Sequence, residues 1–180
     1  MENHAHKFEK KKSGVFFFKS SSPFEFHHIL NGIDIEPKEE IYGSLIFPEN
    51  VKLPCPAVIA VHGSAGLRGN HHDHIVNLLE AGIAVFRIHS FEARGLISII
   101  EDQMRVTLAT MITDSFRALS MLTQHPDIDS NKIGIMGWSL GGSTSFYSAW
   151  SPIVKALTLG DEKFSAHLPL YPGTHIKPEI

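Results

Sequence analysis

The sequence predicts an α/β fold, a mostly parallel sheet with helices on both faces, and three observations carry that prediction. Two short continuous apolar runs, 57–61 (AVIAV) and 83–88 (IAVFRI), have the pattern of strands buried on both faces. Segments with helical periodicity alternate with them, as crossover connections between parallel strands require. A third run, 132–136 (KIGIM), leads into Gly-Trp-Ser-Leu-Gly at 137–141, a strand-to-helix turn signature. At 180 residues, 43% apolar and 19% charged, the chain suits one globular domain with a real core.

Taken in order, residues 1–22 are expected to form a flexible N-terminal tail, solvated over its first twelve residues. The stretch 15–18 (VFFF) is nonetheless apolar enough for a short strand. The domain proper is expected over 23–180. Residues 24–30 read as another short strand, Asn31-Gly32 as a turn, and 41–47 as a strand stopped by Pro48. A helix is predicted over about 70–81, closed by Gly82. Met104, Leu108, Met111, Ile112, Phe116, Leu119 and Leu122 recur at spacings of three and four, which makes one apolar helix face ending before Pro126. Residues 127–131 read as a polar turn. Helix is predicted from Ser139 to about Trp150, with a second short helix over 152–159. The final strand, 165–171, is closed by Pro172-Gly173.

A net charge of −3 argues against a nucleic-acid binder. No stretch is long and apolar enough for a membrane span or an export signal, since 15–18 stops at Lys19. A single cysteine, Cys55, leaves no internal disulfide, so a reducing, cytoplasmic compartment is expected.

Ser139 is the candidate catalytic residue. On a tight turn after a strand its hydroxyl projects above the sheet, and glycines two positions either side let strand and helix approach. In such sheets the ligand site lies at the carboxyl ends of the strands, where His62, His89 and the loop at Pro172 also fall. The candidate oxyanion hole comprises the N–H of Leu140 and that of Ser64 or Ala65, in the glycine-bounded loop 62–66 (HGSAG). A serine hydroxyl needs a histidine base, and the base a carboxylate. Downstream of Ser139 the only acids are Asp161, Glu162 and Glu179, and the only histidines His167 and His175. His175 is the candidate base. His167 reads as structural. His71 and His74 have a metal-compatible spacing, but with Asp73 they read better as a solvated first helix turn, so no metal site is assigned.

These motifs resemble the dienelactone hydrolase branch of the α/β-hydrolase superfamily from about Ile41 to the C-terminus. The resemblance rests on 61–66 (VHGSAG), 90–95 (SFEARG), Asp114 to Leu122 with His125-Pro126, 137–142 (GWSLGG) and 164–173 (FSAHLPLYPG). It implies a cofactor-free hydrolase acting on a small-molecule ester or lactone, with His62 shaping the oxyanion loop. It leaves Arg94 either a loop anchor or a holder of a substrate carboxylate. The family places its triad acid and histidine after strands that would follow residue 171. The resemblance therefore implies an incomplete α/β-hydrolase domain whose triad acid and base are absent. Dienelactone hydrolases proper carry cysteine where this chain has Ser139, and an aspartate where it has His89. Two alternatives remain at this stage: a fragment of a prolyl-oligopeptidase-like serine peptidase, and a non-catalytic binding module with the same fold.

Overall fold

The computed structural model describes residues 13–158, 160 and 162–175. Six strands form one sheet: β1 (Gly14–Ser20), β2 (Glu39–Ile46), β3 (Cys55–Val61), β4 (Ala84–Ile88), β5 (Ile128–Trp138) and β6 (His167–Leu170), in the order β1-β2-β4-β3-β5-β6. β3 to β6 run parallel, while β1 and β2 are antiparallel additions at one edge. Five helices accompany it: α1 (Phe26–Leu30), α2 (Gly69–Glu80), α3 (Leu108–Leu122), α4 (Leu140–Tyr147) and α5 (Ser151–Leu157).

The period-two alternation of the strands divides the core. Ala57, Ile59 and Val61 of β3, with Ile133 and Ile135 of β5, point to a large core that includes Phe26, Met111, Phe116 and Ile153 from α1, α3 and α5. Val58, Ala60, Met136 and Trp138 point the other way, to a small core with Ile75 of α2. Helices therefore cover both faces of the sheet, unequally. Helix α3 is fully enclosed along most of its length, which its strong apolar periodicity dictates.

The structure corrects several local expectations. Residues 14–20, expected in a flexible tail, are β1, with Phe18 buried in the large core and Phe16 packed against it. The first twelve residues of that tail lie outside the described residues. Residues 26–30 are helix rather than strand: Phe26 and Ile29, three apart, are the pair that buries, and Phe26 packs on Tyr147 at 5.2 Å. Met104 lies outside α3, exposed, because Thr107 caps the helix by accepting from the Thr110 N–H at 3.3 Å. The polar stretch after Asp127 is already strand, with Ile128 paired to Cys55 across a bulge. Helix after Ser139 stops at Tyr147 and resumes at Ser151. β6 is shorter than predicted and only partly buried, as the sheet's edge among the described residues.

Candidate functional site

β5 delivers Ser139 to the carboxyl end of the parallel strands and α4 starts at the next residue. Ser139 has φ 53° and ψ −112°, a conformation L-residues seldom adopt. Its N–H donates to Leu170 O of β6 (3.0 Å), which ties the turn to the sheet. The flanking glycines are required sterically. A Cβ on Gly137 would run into the backbone of Gly141, and one on Gly141 into the carbonyl oxygen of Val61. The strand-turn-helix is thus packed backbone on backbone, and only glycine fits.

The loop after β3 lies beside this turn. Gly66 N donates to Gly63 O (2.9 Å), closing a tight turn. Ser64 O accepts from Ile99 N (2.8 Å) and from the Ser98 hydroxyl (3.1 Å), which pins the loop to the segment before α3. Among the described residues, the N–H groups of Ser64, Ala65 and Leu140 have no backbone acceptor. Ser64, Leu140 and Ser139 line one cleft of about 840 Å³; Ala65 is not among its lining residues.

His175 lines the same cleft, on the Ser139 side. Its loop is held by Ser143, whose hydroxyl donates to Gly173 O (3.0 Å) and accepts from Gly173 N (2.9 Å). Among the described residues no carboxylate bonds the His175 ring. Asp161 and Glu179 lie outside the described residues. Glu162 sits near Thr123 and Ser130, at the opposite end of β5 from Ser139.

Five other histidines among the described residues have structural partners. His62 is buried against Phe91 (4.3 Å), and its Nδ1–H donates to Gly63 O (3.0 Å). Burial lowers its pKa, and the buried ring does not line the cleft, so it is not placed to act on a substrate there. His71 stacks on the Trp138 indole at 4.2 Å, and its Nδ1 accepts from Arg68 N (3.1 Å); burial, then the neighbouring His74, lowers its pKa. Trp138 Nε1–H donates to His74 Nδ1 (2.8 Å). These two histidines were expected on a solvated helix turn. His74 is exposed as expected, whereas His71 is buried, and both stack on Trp138, the residue immediately before Ser139. His167 Nδ1–H donates to Ser145 O (2.9 Å), and His89 bonds Ser44 (2.9 Å) and stacks on Tyr42 (4.9 Å).

Arg94 is a loop anchor. Nη1 and Nη2 donate to the two carboxylate oxygens of the fully buried Asp114 (2.8 and 3.1 Å), and Nε donates to Glu39 (2.9 Å). Burial alone would lower its pKa, but Asp114 and Glu39 more than offset this and raise it. Arg94 is not among the residues that line the cleft.

The opposite wall was not anticipated as part of the site. Phe24, Glu25, Phe26 and His27 line it from α1 and its lead-in, and Gln103, Met104 and Val106 from the segment before α3. Both pieces are joined at Pro23, whose carbonyl accepts from the Thr107 and Thr110 hydroxyls (each 3.1 Å). The available signal was the spacing of Phe26, Ile29 and Leu30, which fits a helix and not a strand.

Among the described residues no group of three or more His, Cys, Asp or Glu is placed to hold a metal ion. No helix among them is long and apolar enough to cross a membrane.

The profile of the dienelactone hydrolase family matches residues 41–160. Among solved structures, Est1E from Butyrivibrio proteoclasticus with bound ferulic acid is similar at 21% identity and TM-score 0.56, covering 74% of this chain and 49% of that one. The acetyl xylan esterase from Paenibacillus sp. R4 is similar at 19% identity and TM-score 0.54, covering 74% and 45%. At such identities the likeness shows the α/β fold alone. The chain spans about half the length of these structures. No curated protein matches the sequence.

Proposed function

The chain belongs to the dienelactone hydrolase family, and from that premise we propose that it is a serine hydrolase cleaving carboxylic esters or lactones through an acyl-enzyme on Ser139. The observation that carries the proposal is the backbone of Ser139, held at φ 53° between β5 and α4 and opening on the cleft.

In this scheme the Ser139 oxygen attacks the substrate carbonyl carbon and its proton passes to a base. The oxyanion is held by the N–H of Leu140 and that of Ser64, which supports Ser64 over Ala65 because only Ser64 lines the cleft. The alcohol departs with a proton, water attacks the acyl carbon, and the acid is released. No cofactor enters these steps. His175 is the base candidate on the nucleophile side. Among the described residues no carboxylate fixes its tautomer, and slow turnover is expected on that ground. That the sequence holds a single cysteine, Cys55, supports a reducing, cytoplasmic compartment as the setting.

The test is hydrolysis of 4-nitrophenyl acetate by the purified chain and by Ser139→Ala. The expected result is slow turnover, on the order of 10³–10⁴ above water from the oxyanion hole and binding alone, with only a small loss in the variant. Fast turnover abolished by both Ser139→Ala and His175→Ala would show His175 to be a full base. That no carboxylate among the described residues bonds His175 also favours a second reading, a binding module that keeps the fold. That reading predicts no covalent adduct on Ser139 with any acylating or phosphonylating reagent.

A further inference from the structure

We infer that the cleft selects uncharged esters with an aryl or alkyl group seated on the α1 wall, and rejects substrates that carry a carboxylate. The inference rests on the hydrolase reading for its chemistry, but its selectivity stands on the lining alone.

The wall built by α1, its lead-in and the segment before α3 is mostly apolar, with Glu25, His27 and Gln103 among its polar residues. Phe24 and Met104 are 40% and 62% exposed at its mouth, with Phe26, Val106 and Leu108 behind them. Large apolar side chains left in solvent around a concave surface are what an apolar ligand group covers. Helix α1 is fixed in place by Phe26 on Tyr147 and Trp150 (5.2 and 6.2 Å), and its lead-in by Pro23 on the α3 cap, so the wall is preformed.

Charge sets the discrimination. Among the described residues lining the cleft there is no lysine or arginine, and the one carboxylate is Glu25. The guanidinium of Arg94, the cation that could have met an anion, is occupied by Asp114 and Glu39. His27 adds a ring nitrogen that can donate. Its Nδ1 accepts from Asn31 Nδ2 (3.0 Å), so the neutral ring carries its proton on Nε2. A substrate carboxylate entering here would lose water, gain no lysine or arginine among the described lining residues and meet Glu25. An uncharged ester loses nothing comparable.

Two ligands of nearly the same shape test this: methyl 4-acetylbenzoate, which is neutral, and monomethyl terephthalate, which carries a carboxylate. Binding is measured by ligand-observed NMR on Ser139→Ala, which removes the proposed nucleophile, over times short against the slow residual turnover. The neutral ester should bind about tenfold tighter, a difference of about 1.4 kcal/mol. Glu25→Gln should narrow the ratio and Glu25→Lys should bring it near one. Met104→Ser should weaken the neutral ester several-fold. Both residues are exposed, so these changes leave the fold intact. Equal or tighter binding of the anion overturns the inference, as does no binding of the neutral ester at millimolar concentration or no response to Met104→Ser. If the unsubstituted chain binds the neutral ester but never cleaves it, the hydrolase reading fails and the selectivity stands. If it cleaves both esters at equal rates, the reverse holds.

Discussion

The two walls of the cleft are built in different ways. The Ser139 wall is backbone: Gly137 against Gly141, Gly141 against Val61, and amide groups of Ser64 and Leu140 without backbone acceptors. The α1 wall is side chains: Phe24, Glu25, His27 and Met104, exposed on a short helix and on the segment before α3. A backbone-on-backbone contact admits one residue type, so it leaves a mark in the sequence. A wall of exposed side chains admits many and leaves little. The first suits chemistry that must not vary, and the second suits a substrate preference that can.

If that contrast is right, substitutions on the two walls should differ sharply in stability. The largest effect belongs to Gly141→Ala. Its Cβ would overlap the Val61 carbonyl, where neither partner is a flexible side chain. A loss of about 3 kcal/mol or more in urea unfolding is expected, against less than about 0.5 kcal/mol for Met104→Ser. Equal losses would erase the distinction.

Arg94→Ala comes next. It leaves Asp114, fully buried on α3, without its bidentate partner, and removes the link through Glu39 and Ser22 to the lead-in of α1. Breaking a buried pair on one side costs about 3–5 kcal/mol. Thermal melting should show Arg94→Lys recovering only part of this, because lysine cannot span both carboxylate oxygens.

Acid should loosen the Ser139 wall before the α1 wall. The folded protein holds His62 and His71 neutral, mainly by burial, with pKa values below the ordinary 6.5. The unfolded chain takes up those protons near 6.5, so it binds more protons than the fold just below that pH. Stability therefore falls as pH drops below about 6.5, on the order of 1 kcal/mol per pH unit for each histidine. Hydrogen exchange at the loop 62–66 and at Trp138 should rise between pH 7.5 and 5.5, ahead of exchange in α1. The opposite order would assign the acid sensitivity elsewhere.

The smallest effect has the opposite sign. Ser139→Gly relieves a left-handed backbone that serine tolerates poorly, and should raise stability by about 1 kcal/mol while removing the nucleophile. A loss of stability would mean that Ser139 is not strained.

The sequence shows the same division. The parallel strands were legible because burial on both faces writes continuous apolar runs, and the turn at Ser139 because its glycines are sterically compelled. Helix α1 was misread because five residues are too few for periodicity, and Phe24-Glu25-Phe26-His27 alternates as a strand does. The start of α3 was misplaced because Met104 continues the apolar spacing, while the cap at Thr107 ends it. The role of His71 and His74 was hidden because their partner, Trp138, is 64 residues from His74 along the chain. The start of β5 is hidden because Ile128 pairs with Cys55 while the polar side chains of 130–132 after it face solvent.

One measurement tests the central claim most directly, that Ser139 is a nucleophile presented by this turn. The purified chain is incubated with an alkyl fluorophosphonate, which a serine oxygen attacks at phosphorus with loss of fluoride. Intact-mass and peptide analysis should find one adduct, on Ser139, forming slowly and absent from Ser139→Ala. No adduct after prolonged incubation, or an adduct on Ser143 or Ser64 instead, would contradict it.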